Sequence, residues 1–160
     1  MAMDGALLAT QIADALGVSL TSQLTCFGNG IVTEMKLGVP GVGLPTGNLI
    51  SGLDGSRAAT DIGNCIAGYA NSELTDYCTA MFLYIMAKAI ITYTGPPPPA
   101  PNMWSTGGII LSLDGDDMAQ DIHDLLYPTE VGPSDQLKAK CGAIVDHIMI
   151  NAEVNGGIIT

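Results

Sequence analysis

The sequence is short of charge, and shortest of positive charge. Its 160 residues hold 5 Lys and Arg against 16 Asp and Glu, a net charge of −11, and only 13% are charged, about half the usual share of roughly 25%. The five cations are Lys36, Arg57, Lys88, Lys138 and Lys140, scattered apart from the last pair. Direct binding to a nucleic-acid backbone is therefore excluded, because it needs clustered Lys and Arg to displace counterions. Adsorption to an anionic membrane is excluded for the same reason. Long hydrophobic runs are missing too. The most apolar stretch, Met81 to Ile91, spans 11 residues with Lys88 inside it, whereas a bilayer span needs about 20. Asp4 stands where a signal peptide would be positive, so neither a signal peptide nor a transmembrane segment is expected.

Catalytic signatures are also absent. The four cysteines, Cys26, Cys65, Cys78 and Cys141, make no CxxC and no zinc-finger spacing. There is no GxSxG, Walker loop, Rossmann fingerprint or HExxH. The expectation is a chain with no catalytic residue, no cofactor, no metal and no small-molecule substrate.

What the sequence does have is apolar material and small residues: 48% hydrophobic, with 20 Gly and 9 Pro. That is enough for a core, and it leaves a surface poor in charge. Such surfaces are commonly covered by other subunits.

Repetition organises this material. Gly5, Gly55 and Gly115 each follow an Asp (Asp4, Asp54, Asp114) and lead into an amphipathic run. The apolar positions are Leu8, Ile12, Ala15 and Leu16; Ala58, Ile62, Cys65 and Ile66; Met118, Ile122, Leu125 and Leu126. Their spacing of i, i+4, i+7, i+8 marks one helix face, and each Asp is an expected N-cap. A second helix follows in each copy, with Thr21, Asn71 and Ser134 as caps three positions ahead of Leu24, Leu74 and Leu137. From those leucines the copies align without a gap. Gly28, Cys78 and Cys141 share one position and Gly30, Ala80 and Ala143 another, small enough for neighbouring elements to approach closely. The third copy gains three residues within Tyr127 to Pro133.

Each copy closes on a Gly-led tetrad: Gly47 to Ile50, Gly107 to Ile110, and Gly156-Gly157-Ile158-Ile159 before Thr160. Gly38 to Thr46 and Thr94 to Pro101 hold seven of the nine prolines and read as non-helical spacers. The expected fold is mainly α: three tandem helical hairpins joined by Gly/Pro-rich loops, with short extended Gly-Ile segments. Hairpins are expected over 4–37, 53–93 and 113–154, connectors over 38–52 and 94–112, and an extended tail over 155–160. The whole forms a single domain or an array of three repeats.

Cys65 and Cys78 lie on the two helices of one hairpin, about symmetrically around its turn, and form a candidate disulfide. Buried free thiols are the preferred state of the pair. His123 and His147 fit no metal spacing and are expected at the surface. The acidic run Asp114-Gly115-Asp116-Asp117 lacks the alternating oxygens and closing Glu of a calcium loop, and suits the first turn of a helix instead.

The DG and LDG openings, the first helix of the form A-x-D/Q-I, the S-x-L start of the second and the closing GGIIT resemble a group of small repeat-containing virion structural proteins of tailed bacteriophages. The resemblance runs from Asp4 to Thr160. The first copy departs from it in lacking the leucine of LDG and in carrying Cys26 where the others have Asp76 and Ala139. It implies a non-enzymatic particle component, assembled in the host cytoplasm and residing in the virion, whose partners are other virion proteins or copies of itself. Gly156, Gly157, Ile158, Ile159 and Thr160 are the candidate assembly segment, adding as a short strand to a neighbour. Two other classes remain: a small metal-dependent hydrolase built from Asp114, Asp116, His123 and Cys141, and a cytosolic adaptor unrelated to a virus.

Overall fold

Three helices begin in the same way. In a computed structural model of the chain, which describes residues 2–41, 50–67, 71–93, 107–155 and 158–160, Asp4, Asp54 and Asp114 each precede a helix in extended backbone geometry. Each carboxylate accepts from two backbone N–H groups of the first turn. These helices are α1 (Gly5–Leu16), α3 (Gly55–Cys65) and α5 (Gly115–Leu126). Each is followed by a longer helix, α2 (Ser22–Lys36), α4 (Ser72–Lys88) and α6 (Asp135–Asn151). The side chains of Thr21, Asn71 and Ser134 accept from the N–H of Leu24, Leu74 and Leu137. All six expected caps are in place, and each offsets one or two of the N–H groups that a helix start leaves unpaired.

The glycine after each capping Asp has a packing reason. A Cβ on Gly5 would meet the backbone of Asn29, one on Gly55 that of Cys78 and Thr79, and one on Gly115 that of Cys141 and Gly142. The first residue of each short helix therefore sits directly against the backbone of the long helix that follows it. Gly28 faces α1 in return, where a Cβ would strike the Gly5 carbonyl, while a Cβ on Gly30 would strike the Ile62 side chain on α3.

Packing then runs round a closed circuit. α1 packs on α2, α3 on α4 and α5 on α6; α2 also packs on α3, α4 on α5, and α6 returns to α1. The protein is thus mainly helical, with the core inside the ring. Ile12, Ile62 and Ile122 come from the short helices and Ile31, Met81 and Ile144 from the long ones, all at most 1% exposed.

The buried face of the short helices is wider than its apolar spacing predicts. Ala9, Ala59 and Ala119 are buried, as are Ala13, Gly63 and His123, whereas Ala15, Cys65 and Leu125 are exposed. Each short helix has a long helix on either side, so the faces at i+1 and i+5 are covered and the one at i+7 is not.

Short antiparallel strands follow the long helices. β1 (Val39–Pro40) pairs with β2 (Ile50–Ser51). β3 (Ile90–Tyr93) pairs with β4 (Gly108–Leu111), Ile91 opposite Ile110. β5 (Val154–Asn155) pairs with β4 and with β6 (Ile158–Ile159), so the larger sheet has the order β3-β4-β5-β6. Ile50, Ile110 and Ile159, the last residues of the three tetrads, are all buried. Most of the two proline-bearing connectors, and Gly156 and Gly157 of the terminal tetrad, lie outside the described residues. Among the described residues, no helix is long and apolar enough to cross a membrane.

Candidate functional site

The residues with the most chemistry lie inside the ring, and most of them serve its joints. Glu34, Tyr84 and His147 each stand ten positions after the aligned leucine of their long helix. They are 0%, 3% and 0% exposed. Each accepts a hydrogen bond from the backbone N–H of the capping Asp that opens the next short helix. Asp54 N–H donates to Glu34 Oε2 at 2.9 Å, Asp114 N–H to the Tyr84 hydroxyl oxygen at 3.0 Å, and Asp4 N–H to His147 Nε2 at 3.2 Å. An acid, a phenol and an imidazole thus do one job at three equivalent joints. The third joint, from α6 back to Asp4, closes the ring.

Local chemistry fits each acceptor to its place. The Glu34 carboxylate also receives Arg57, Nε to Oε1 at 2.8 Å and Nη2 to Oε2 at 2.6 Å, so its buried charge is paired and hydrogen-bonded at both oxygens. The Arg57 guanidinium is held above its ordinary pKa chiefly by this hydrogen bond. His147 accepts at Nε2 and therefore carries its proton at Nδ1, which donates to Gln11 Oε1 at 2.7 Å. Burial holds the imidazole below its ordinary pKa, and nearby Asp4 opposes this; a neutral ring is what the joint requires. Burial likewise raises the Tyr84 phenol, against the hydrogen bond from Asp114.

A second cluster occupies the axis of the ring. Phe27, Tyr77 and Lys140 stand three positions after the aligned leucines. The Phe27 and Tyr77 rings meet edge to face, 5.8 Å between centroids. The Lys140 ammonium lies 3.9 Å from the Phe27 centroid and 4.8 Å from that of Tyr77, a cation–π arrangement. Burial lowers the Lys140 pKa. Above the cluster, at the end where α2, α4 and α6 begin, two clefts of about 330 and 290 Å³ open; both are lined by Tyr77, Tyr127 and Lys140.

The cysteines differ from the expected pair. Cys65 is bonded to Cys26, Cα to Cα 5.7 Å, so it is neither paired with Cys78 nor the buried free thiol preferred for it. Cys65 ends α3 on an exposed face, turned toward α2 of the preceding copy, whereas Cys78 lies in the core of its own copy and is a free, buried thiol. The bridge therefore ties one copy to the next, which a pairing confined to one hairpin missed. Cys141 is also free and buried. Burial pushes both of these thiols up to about 12, which disfavours the thiolate.

The histidines are corrected as well: both are buried. His123 takes the place held by Ala13 and Gly63 in the other short helices. It bonds through Nε2 to the Glu130 carbonyl at 3.1 Å, in the loop that the third copy lengthens. Asp114, Asp116, His123 and Cys141 do not converge. Asp114 caps α5 by accepting from the N–H of Asp116 and Asp117. Among the described residues, no group of three His, Cys, Asp or Glu is placed to hold a metal ion.

Of the candidate assembly segment, Ile158, Ile159 and Thr160 are described. Ile159 is buried, Ile158 is 60% exposed, and Thr160 exchanges two backbone hydrogen bonds with Glu153. These three residues pair with Glu153, Val154 and Asn155 of their own chain.

The joint acceptors were missed because they share no side-chain type. The available signal was positional: one residue with a hydrogen-bond acceptor at the same register in all three copies. Comparison of the chain with protein-family models, with curated proteins and with solved structures finds no match.

Proposed function

We propose that this chain is a non-enzymatic structural or accessory protein, built from three related helical hairpins, that assembles with copies of itself or with other subunits. The observation that carries this reading is the use of its buried reactive side chains. Glu34, Tyr84 and His147 are engaged in fastening one copy to the next, and the core thiols are held protonated. The setting we propose is the particle of a tailed bacteriophage, on the strength of the repeat motifs. A Cys26–Cys65 bridge fits a protein exposed to oxidising surroundings after release from a cell.

The docking surface we assign lies at the sheet end of the ring. Leu37, Val39 and Ile158 are 50%, 57% and 60% exposed there, and β6 ends the hydrogen-bonded order of the sheet, with β1 packed beside it. Edge pairing combined with apolar contact is a common mode of strand addition. Ile158→Asp tests it better than deletion of Gly156 to Thr160, because deletion also strips Ile159 from the core. The expected outcome is loss of the protein from assembled particles, or of its self-association by native mass, with an unchanged helical circular-dichroism spectrum. Retention of assembly by the folded variant would reject this surface. Absence of the chain from purified particles by mass spectrometry would reject the setting.

A further inference from the structure

We infer that the clefts at the loop end of the ring bind a small monocarboxylate with an apolar body. Four observations converge on this ligand. The first is a cation without a counterion: among the described residues the ion pair present is Arg57–Glu34, and Lys140 faces two aromatic rings instead of a carboxylate. The second is access. Lys140 keeps part of its surface open and lines both clefts.

The third observation is the wall. The larger cleft is lined on its apolar side by Leu24, Phe27, Ile62, Ile66, Leu74 and Tyr77, alongside polar residues that include Thr21 and Asn71; the apolar side suits an alkyl or aryl body and gives a bare inorganic anion nothing to bury. Its volume of about 330 Å³ falls at the small end of ligand sites. The fourth is the field. The first turns of α2, α4 and α6 reach the two clefts through Gln23, Glu73 and Gln136, and helix starts favour negative charge. Two carboxylates line the clefts as well, and both are exposed; Glu73 is turned to the Tyr127 hydroxyl at 2.6 Å, and Glu130 lies in the loop after α5.

The ligand's carboxylate would approach Lys140 from the clefts that this residue lines, and its body would lie along the apolar wall. Aliphatic and aromatic acids share this chemistry, and this binding is independent of the assembly role proposed above.

The test is calorimetric titration of the whole chain with octanoate and 3-phenylpropanoate, each against its corresponding alcohol, and with inorganic phosphate. Saturable binding of at least one acid is expected, tenfold or more tighter than its alcohol, with phosphate weaker still. Which acid wins identifies the body the wall prefers. Lys140→Met should bring the acid down to the level of the alcohol while the thermal transition stays cooperative. Lys140→Arg, which keeps the charge, should retain the preference. No saturable binding of either acid to the folded wild type would overturn the inference. So would equal affinity for acid and alcohol, phosphate binding as tight as the acids, or an unchanged acid affinity in folded Lys140→Met. The wild-type comparison decides the matter even if Lys140→Met fails to fold.

Discussion

His147 carries the clearest consequence at the scale of single residues. Its ring must stay neutral to accept from Asp4, and burial holds its folded pKa below the ordinary value of 6.5. The unfolded chain therefore binds this proton more readily, and stability rises with pH across the window just below 6.5. On acidification through that window the folded state loses up to about 1.4 kcal/mol per pH unit from this group. His147→Gln keeps an acceptor for Asp4 and removes the titration. Urea midpoints measured between pH 7.5 and 5.5 should fall more steeply for the wild type than for the variant; parallel curves would sink the idea.

A second residue is read through its repeat partner. Gly52 turns with φ +77°, and Ser112, sixty positions later, is forced into the same left-handed turn with φ +70°. A side chain there costs roughly 1–2 kcal/mol, and glycine avoids it. Ser112→Gly is expected to raise stability by about 1 kcal/mol, less the greater freedom that glycine gives the unfolded chain. Chemical denaturation checks this, and a loss of stability would mean that the Ser112 side chain contributes more than its strain costs.

At the scale of elements, the contacts between helices are set by missing side chains. Gly115 and Gly142 meet where α5 starts against α6, yet they differ in what a methyl group would encounter. A Cβ on Gly115 would strike the backbone of Gly142 and Cys141, whereas one on Gly142 meets nothing within 4 Å. Gly115→Ala should destabilise by about 1–3 kcal/mol through forced separation of the pair. Gly142→Ala should be neutral or stabilising by up to about 1 kcal/mol, since alanine is the better helix former. Thermal melts should show a lowered midpoint for Gly115→Ala and an unchanged or raised one for Gly142→Ala. A stabilised Gly115→Ala would show that the helix pair yields easily at this point.

The whole molecule is a ring with one covalent joint. The Cys26–Cys65 bridge closes a segment of 39 residues in sequence separation, for which chain entropy gives about 4 kcal/mol of stabilisation as an upper guide. The other joints are hydrogen bonds and packing. Cys65→Ser, or reduction of the wild type, should lower the unfolding free energy by about 2–4 kcal/mol, and the two treatments should agree. Agreement in calorimetry, with one cooperative transition retained, is expected because α6 still packs on α1. A split into two transitions would mean that the copies are held together chiefly by the bridge.

The sequence by itself determined the starts of the helices. Asp4, Asp54 and Asp114, and Thr21, Asn71 and Ser134, were legible because capping is local: the acceptor and the N–H it serves lie within three residues. The extended ends at Ile50, Ile110 and Ile159 were legible too, through their aligned tetrads. Tertiary structure decided everything that joins one copy to the next. Glu34, Tyr84 and His147 do the same work from unlike side chains, so only their shared register marks them and no residue type does; their partners are 20, 30 and 143 positions away. The choice of Cys26 over Cys78 for Cys65, the burial of both histidines and the meeting of Phe27, Tyr77 and Lys140 on one axis all depend on the circuit being closed. Closure is a property of packing angles between helices, and spacing within a helix does not record it.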